Sequence, residues 1–299
     1  MDGLLNVYKE KGYTSHDVVA KLRGILHQKK IGHTGTLDPD ATGVLPVCLG
    51  KATKVCELLA DKDKCYQAVL QLGVTTDTQD LSGTVLTQKP FSLEEQAVCE
   101  AVQSFVGPYD QVPPMYSAIK INGKKLYELA REGKEVERKA RRVQIHEIQI
   151  RSMDLQKGQV VMDVTCSKGT YIRTLCHDIG AKLGCGGAMA ELVRTRVGTF
   201  RIADSYSLDE IEAFVENDSI GGYVLPVDCL FEVLPKIVID HQYSRLIYNG
   251  NPFYEKHILE SVNPCKNGNV RVYDEEGSFV GIYQYHLEKK CFWPVKMFL

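Results

Sequence analysis

The stretch Gly32-His33-Thr34-Gly35-Thr36-Leu37-Asp38-Pro39-Asp40-Ala41-Thr42-Gly43 constrains this chain more than any other. Its three glycines and one proline fix an irregular backbone, the kind of loop that can hold a side chain in one pose. Aspartate is also an ordinary turn-former, so composition leaves Asp38 open between a turn residue and a catalytic carboxylate. A metal site built from His33, Asp38 and Asp40 is a further alternative, although no second cluster of ligands accompanies it.

The segments around this loop have readable periods. Ser15-His16-Asp17 opens a helix whose apolar stripe, Val18, Val19, Leu22, Ile25 and Leu26, carries it to about Lys30. Residues 66–72 alternate as a strand that residues 84–87 could join across the turn-rich 75–83. Ser92 and Glu95 form a capping-box pattern before a helix running to about Val106. Residues 143–150 and 160–166 are strands joined by a turn at 154–158, and 170–183 is a helix closed by Gly184. Residues 192–200 are another strand, and Ser207 starts a short acidic helix. After about Pro235 the texture changes to short strands with turns at Asn267-Gly268-Asn269 and Glu275-Glu276-Gly277. The sum is an α+β fold: a mixed, mostly antiparallel sheet with helices over residues 1–232, then a small β-rich unit over 233–299.

Bulk properties exclude several classes. There is no run of about 18 apolar residues, the length a membrane helix needs. The opening MDGLLNVYKEKG is unlike a secretory signal, so a cytoplasmic protein is expected. Ten cysteines occur without one C-x-x-C pair, which favours reduced thiols over zinc ligands or disulfides. A net charge of −2 gives no sign of a polyanion-binding protein unless the cations are concentrated. They are: Arg138-Lys139-Ala140-Arg141-Arg142 follows Lys120, Lys124, Lys125, Arg131 and Lys134. Interleaved Glu128, Glu132, Glu135 and Glu137 leave a solvated helix face as the other reading.

The loop resembles the signature of the TruB family of pseudouridine synthases, G-H-x-G-T-L-D-P-x-A-T-G-x-L-P, and matches every fixed position through Leu45 and Pro46. The resemblance continues in Asp63-Lys64-x-Tyr66, Thr76-Asp77-Thr78-x-Asp80, Pro114-Met115-Tyr116-Ser117-Ala118-Ile119-Lys120 and Gly123-Lys124-Lys125-Leu126-Tyr127. Cys166-Ser167-Lys168-Gly169-Thr170-Tyr171-Ile172-Arg173-Thr174, Leu183-Gly184-Cys185-Gly186 and Leu192-x-Arg194-Thr195 complete it, over roughly residues 3–232. One departure is Glu10 in Lys9-Glu10-Lys11-Gly12, where the family usually has Lys-Pro-x-Gly.

The resemblance implies conversion of uridine 55 in the tRNA T loop to pseudouridine, with Asp38 as nucleophile and Arg173 pairing with it through a bidentate contact. It implies that Tyr66 stacks on the flipped base, that His33 fills the space the base vacates, and that Tyr171 and Leu192 line the uracil pocket. Asp80 lies near the site by the same match. Lys124 and Lys125 belong to an insertion at about 115–142 that closes on the RNA stem-loop, and residues 233–299 take the place of a PUA-like RNA-binding appendage. The reaction is a redox-neutral isomerisation, so no cofactor or metal is expected. The partner is the T-arm stem-loop of tRNA, acted on by a stand-alone monomer without guide RNA, because no long basic tail follows Leu299. Whether the carboxylate attacks C1′, attacks C6 or abstracts a sugar proton stays open. A non-catalytic RNA-binding or chaperone protein is the alternative from another class.

Overall fold

The structure is a computed structural model and describes residues 1–121, 123–259 and 268–299. Seven strands form the backbone of its main sheet: β1 (Gly3–Lys9), β2 (Thr42–Leu49), β3 (Lys64–Leu72), β4 (Gly107–Gln111), β5 (Arg141–Asp154), β6 (Gln159–Cys166) and β7 (Gly187–Val197). Along β3 the residues Tyr66, Ala68, Leu70 and Leu72 share one buried face, the period-two pattern of a strand with one side on a core. In space the order is β1-β2-β7-β3-β6-β5-β4. Neighbours along it are antiparallel except β2 and β7, which run parallel with Val193 opposite Thr42 and Arg194 opposite Gly43.

Four helices cover the sheet: α1 (Ser15–Ile25), α2 (Glu95–Gln103), α3 (Ile172–Lys182) and α4 (Leu208–Glu216). α1 and α4 pack Val18, Leu22, Leu208 and Ile211 on Leu5, Val7, Leu45 and Val47 of β1 and β2. α2 and α3 cover β3, β5 and β6 through Val98, Val102, Leu175 and Ile179. α3 can lie close because Gly180 faces Gly187: a Cβ on Gly180 would come within 2.2 Å of the Gly187 nitrogen. Strands Lys236–Val238, Asn269–Tyr273, Phe279–His286 and Cys291–Met297 form a separate four-stranded sheet with its own core around Phe253, Tyr283 and Phe292. Ile282 and Phe298 of this part reach back to Leu4 and Val44.

The structure differs from the sequence expectations at several ends. α1 stops at Ile25, short of Lys30, because His27 turns to φ 49°. The Ser92–Glu95 capping box is not made; α2 follows Glu94 with no side-chain cap. Residues Val85–Gln88 do not join β3, whose two edges are already taken by β6 and β7; they pair with Val74–Thr76 as an exposed hairpin. The strand expected over 192–200 breaks after Val197, where Gly198 adopts φ 54° and sends Phe200–Arg201 back onto it. Of the turn at Asn267-Gly268-Asn269, Asn267 lies outside the described residues.

The parallel junction is tight. Gly43 has φ 105°, and a Cβ there would lie 2.2 Å from the Arg194 carbonyl oxygen and 2.9 Å from its nitrogen. Gly43→Ala is therefore expected to destabilise the protein by at least about 2 kcal/mol, from strain and displaced pairing together. Urea unfolding would read this as a lowered midpoint; an unchanged midpoint would mean the junction tolerates a side chain.

Candidate active site

The glycine-rich loop leaves the short strand Ile31–His33, passes Asp38 and enters β2. Packed neighbours hold it at several points. Ser15 at the start of α1 accepts the Leu37 N–H at 2.9 Å. The fully buried Lys9 donates from Nζ to the carbonyls of Pro39 (3.0 Å), Tyr13 (2.6 Å) and Glu10 (3.0 Å). Gly12, at φ 90°, donates its N–H to Pro39 at 2.9 Å. The turn Lys9–Gly12 thus ties itself to the residue after Asp38 with Glu10 in the place of proline.

Asp38 keeps 37% of its side chain exposed. Its Oδ1 accepts from Arg173 Nη2 at 3.1 Å. Arg173, 7% exposed, extends from the first turn of α3. Its other contacts are Asp80 Oδ2 from Nη1 at 3.4 Å and the Tyr116 carbonyl from Nη2 at 2.9 Å. The contact with Asp38 is a single bond and not the expected bidentate one, because the guanidinium is shared between two carboxylates and a carbonyl. Asp80 is fixed in turn by Thr78 Oγ1 at 2.8 Å and the Ser82 N–H at 3.1 Å. Burial pushes the Asp38 carboxyl up from its ordinary value, and Arg173 opposes that shift.

Tyr66 and Leu192, each 9% exposed, share a contact cluster with Leu37 and Ala41 of the loop. Burial drives the Tyr66 phenol up to about 12. Tyr171 is half-buried with the Arg173 guanidinium 5.9 Å from its ring centroid; burial raises its phenol as well. His33 is half-buried, accepts the Gly35 N–H on Nδ1 at 3.3 Å and meets His16 edge to face at 5.2 Å. Burial, then the neighbouring His16, keeps His33 below its usual pKa. With Nδ1 accepting, Nε2 carries the proton of the neutral ring.

Lys124 and Lys125 are not brought to Asp38. They lie on a two-residue strand of the insertion, where Lys124 pairs with Glu132 at 3.2 Å and Lys125 reaches the Tyr127 hydroxyl at 3.2 Å. Glu132 also takes Lys134, so the interleaved acids neutralise part of the basic run. His33, Asp38 and Asp40 do not converge either: among the described residues no three His, Cys, Asp or Glu side chains gather as metal ligands.

Sequence reasoning missed Gln111. Buried at the end of β4, it donates from Nε2 to the Tyr171 carbonyl at 2.9 Å and accepts the Tyr171 N–H at 2.8 Å. It thereby fixes the chain entering α3, and no periodicity singles it out. Arg194, noted only as part of a motif, proves to be the largest fully buried side chain. Here a signal existed, since it lies two residues from Leu192 on an alternating strand.

A family model described as TruB family pseudouridylate synthase, N-terminal domain, matches residues 23–172. A model for the tRNA pseudouridylate synthase B C-terminal domain matches residues 173–232. A tRNA pseudouridine synthase B of Lachnoclostridium phytofermentans is 54% identical, with 100% of both chains covered. One from Alkaliphilus oremlandii is 46% identical, covering 94% of this chain and 92% of its own. Among solved structures, a chain of a Cbf5-Nop10-Gar1 complex superposes with a TM-score of 0.72 at 28% identity, covering 99% of this chain and 85% of that one.

Proposed function

This chain belongs to the TruB family of pseudouridine synthases, and from that premise we propose that it isomerises uridine 55 in the T loop of tRNA to pseudouridine with Asp38 as nucleophile. The observation that carries this reading is the Asp38 carboxylate of the glycine-rich loop, partly exposed and held at 3.1 Å by a buried arginine. Arg173 opposes the upward pull of burial and so favours the ionised form that a nucleophile needs.

In the reaction the N1–C1′ bond breaks, the uracil turns, C5 bonds to C1′, the C5 proton leaves and N1 takes up a proton. Atoms and electrons balance without an oxidant. Tyr66 and Leu192 offer buried walls between which a flipped base can turn, and Tyr171 lies against Arg173 at the other side. His33, with Nε2 carrying its proton, suits the gap left by an extruded base, offsetting part of the few kcal/mol that unstacking costs. The insertion over 115–142 is read as the part that closes on the stem-loop. Its cations without an ion pair among the described residues, such as Lys120 and Lys139, would track phosphates without reading sequence. The division into residues 1–232 and 233–299, an RNA-binding role for the latter, cytoplasmic residence and action as a stand-alone monomer belong to the same proposal.

The test is conversion of an unmodified T-arm stem-loop by the purified protein alone, in EDTA, with pseudouridine read at the T-loop uridine. Conversion at that position is expected. Binding without conversion would instead make the chain a non-catalytic RNA-binding relative.

A further inference from the structure

Arg194 is an unusual place to put a charge. It is 1% exposed and lies on β7 directly across from Tyr66 and, on the other side, from Gly43. Its Nε donates to the Val44 carbonyl at 2.7 Å and its Nη2 to the Gly35 carbonyl at 3.3 Å. Its Nη1 passes 3.8 Å from where a Cβ on Gly35 would be. Among the described residues it makes no ion pair. A buried cation without a carboxylate partner is expensive to keep, and two carbonyls could be satisfied by a neutral donor.

Arg194 is also not alone. Lys9 is fully buried and Lys64, two residues before Tyr66, is 6% exposed. Both bond backbone carbonyls only: Lys9 those of Glu10, Tyr13 and Pro39, Lys64 those of Ala60 and Lys62. Asp38 and Asp80, the acids of the site, are both engaged by Arg173. Asp40 and Asp17 also act on Lys9, and Asp61 and Asp63 on Lys64, whereas among the described residues Arg194 faces the Tyr66 hydroxyl and no carboxylate.

Resting on the reading of the site as a uridine isomerase, we infer that Arg194 is a positioning residue whose uncompensated charge stabilises the uracil as an anion while it is detached. When N1–C1′ breaks, its electron pair leaves with the base and spreads over the ring nitrogens and oxygens. That pair returns in the C5–C1′ bond. Between these events the negative charge lies against the buried side chains of Tyr66 and Leu192, where a fixed charge acts more strongly than in water and needs no reorganisation. Bonding to Gly35 and Val44 fixes the arginine relative to the Asp38 loop, and Lys64 adds to the same field.

The experiment compares single-turnover cleavage of the glycosidic bond in two stem-loops, one with uridine and one with 5-fluorouridine at the target, using the full chain. 5-Fluorouracil is the more acidic base and needs less help as an anion; its fluorine blocks only the later loss of the C5 proton. Arg194→Gln is expected to slow uridine by about 100-fold and fluorouridine by about 10-fold or less, with RNA affinity unchanged. Arg194→Lys, which keeps the charge, should leave the ratio of the two rates as in the wild type. Should Arg194→Gln not fold, Lys64→Gln carries the test, with a smaller loss that again falls more on uridine. Equal losses on both substrates in the folded charge-removing variant would mark a structural role and overturn the inference alone. A wild type that converts neither substrate would overturn it together with the function it rests on.

Discussion

Asp38→Asn is expected to abolish pseudouridine formation, by about 10⁴-fold or more as for other lost nucleophiles, while the protein binds the T-arm stem-loop as tightly as the wild type. The amide is isosteric and its oxygen can still accept from Arg173 Nη2, so the pose of the loop should survive. Thermal stability gives a second, independent readout. Burial raises the Asp38 carboxyl in the folded state, so the folded protein holds this proton to a higher pH than the unfolded chain does. The carboxylate then subtracts stability progressively as pH rises from the ordinary value, 3.8, through the raised one. At neutral pH a neutral amide removes that penalty, and Asp38→Asn should melt at the same temperature as wild type or above it. A variant that melts lower and binds RNA poorly would place Asp38 among the structural turn residues.

Arg173→Met should lower the single-turnover rate by about 10³-fold and change its dependence on pH. In the wild type Arg173 opposes the raising of the Asp38 carboxyl by burial, and Asp80 adds to that raising. Without the guanidinium the Asp38 pKa moves further up. Residual activity should then fall away at a higher pH on acidification than in the wild type. Because Asp38 keeps 37% of its side-chain surface exposed, solvent screens part of the loss. A stability decrease of about 2 kcal/mol is expected, below the range for a fully buried pair. An acid limb at the same pH in both proteins would show that Arg173 does not set the ionisation of Asp38.

Much of this arrangement was legible in the sequence, for reasons that differ by residue. The loop around Asp38 is dense in glycine and proline, and its match to a family signature is long, so the reading needed no structure. Alternation along residues 66–72 gave β3, but the sequence could not say that both its edges are occupied, and so misplaced residues 84–87. The partner of Asp38 lies 135 residues away, a distance no local pattern bridges; only the family resemblance supplied Arg173. It supplied the pairing without its stoichiometry, since Asp80 and the Tyr116 carbonyl take up the rest of the fork. The sequence interleaves Glu132 with the basic run but does not say which cations it answers; the fold pairs it with Lys124, eight residues before it, and with Lys134. Gln111 carries no signal, since the stretch 107–114 with its glycine and prolines reads as a breaker-rich connection, whereas the structure pairs Gly107–Gln111 with β5 as a strand.

The parallel seam between β2 and β7 also sets an order of events on the ribosome. β7 is inserted between β2 and β3, although both precede it in the chain, and Arg194 grips Val44 across 150 residues. At synthesis rates of about 5–20 residues per second, the glycine-rich loop spends roughly 8–30 s in the nascent chain without the strand that completes its floor. During that interval β2 and β3 present unpaired edges, the condition in which a growing chain is most open to misassembly and chaperone capture. The same delay means that a nascent chain carries Asp38 without either buried arginine until Arg173 is made, and without the floor of the loop until Arg194 follows.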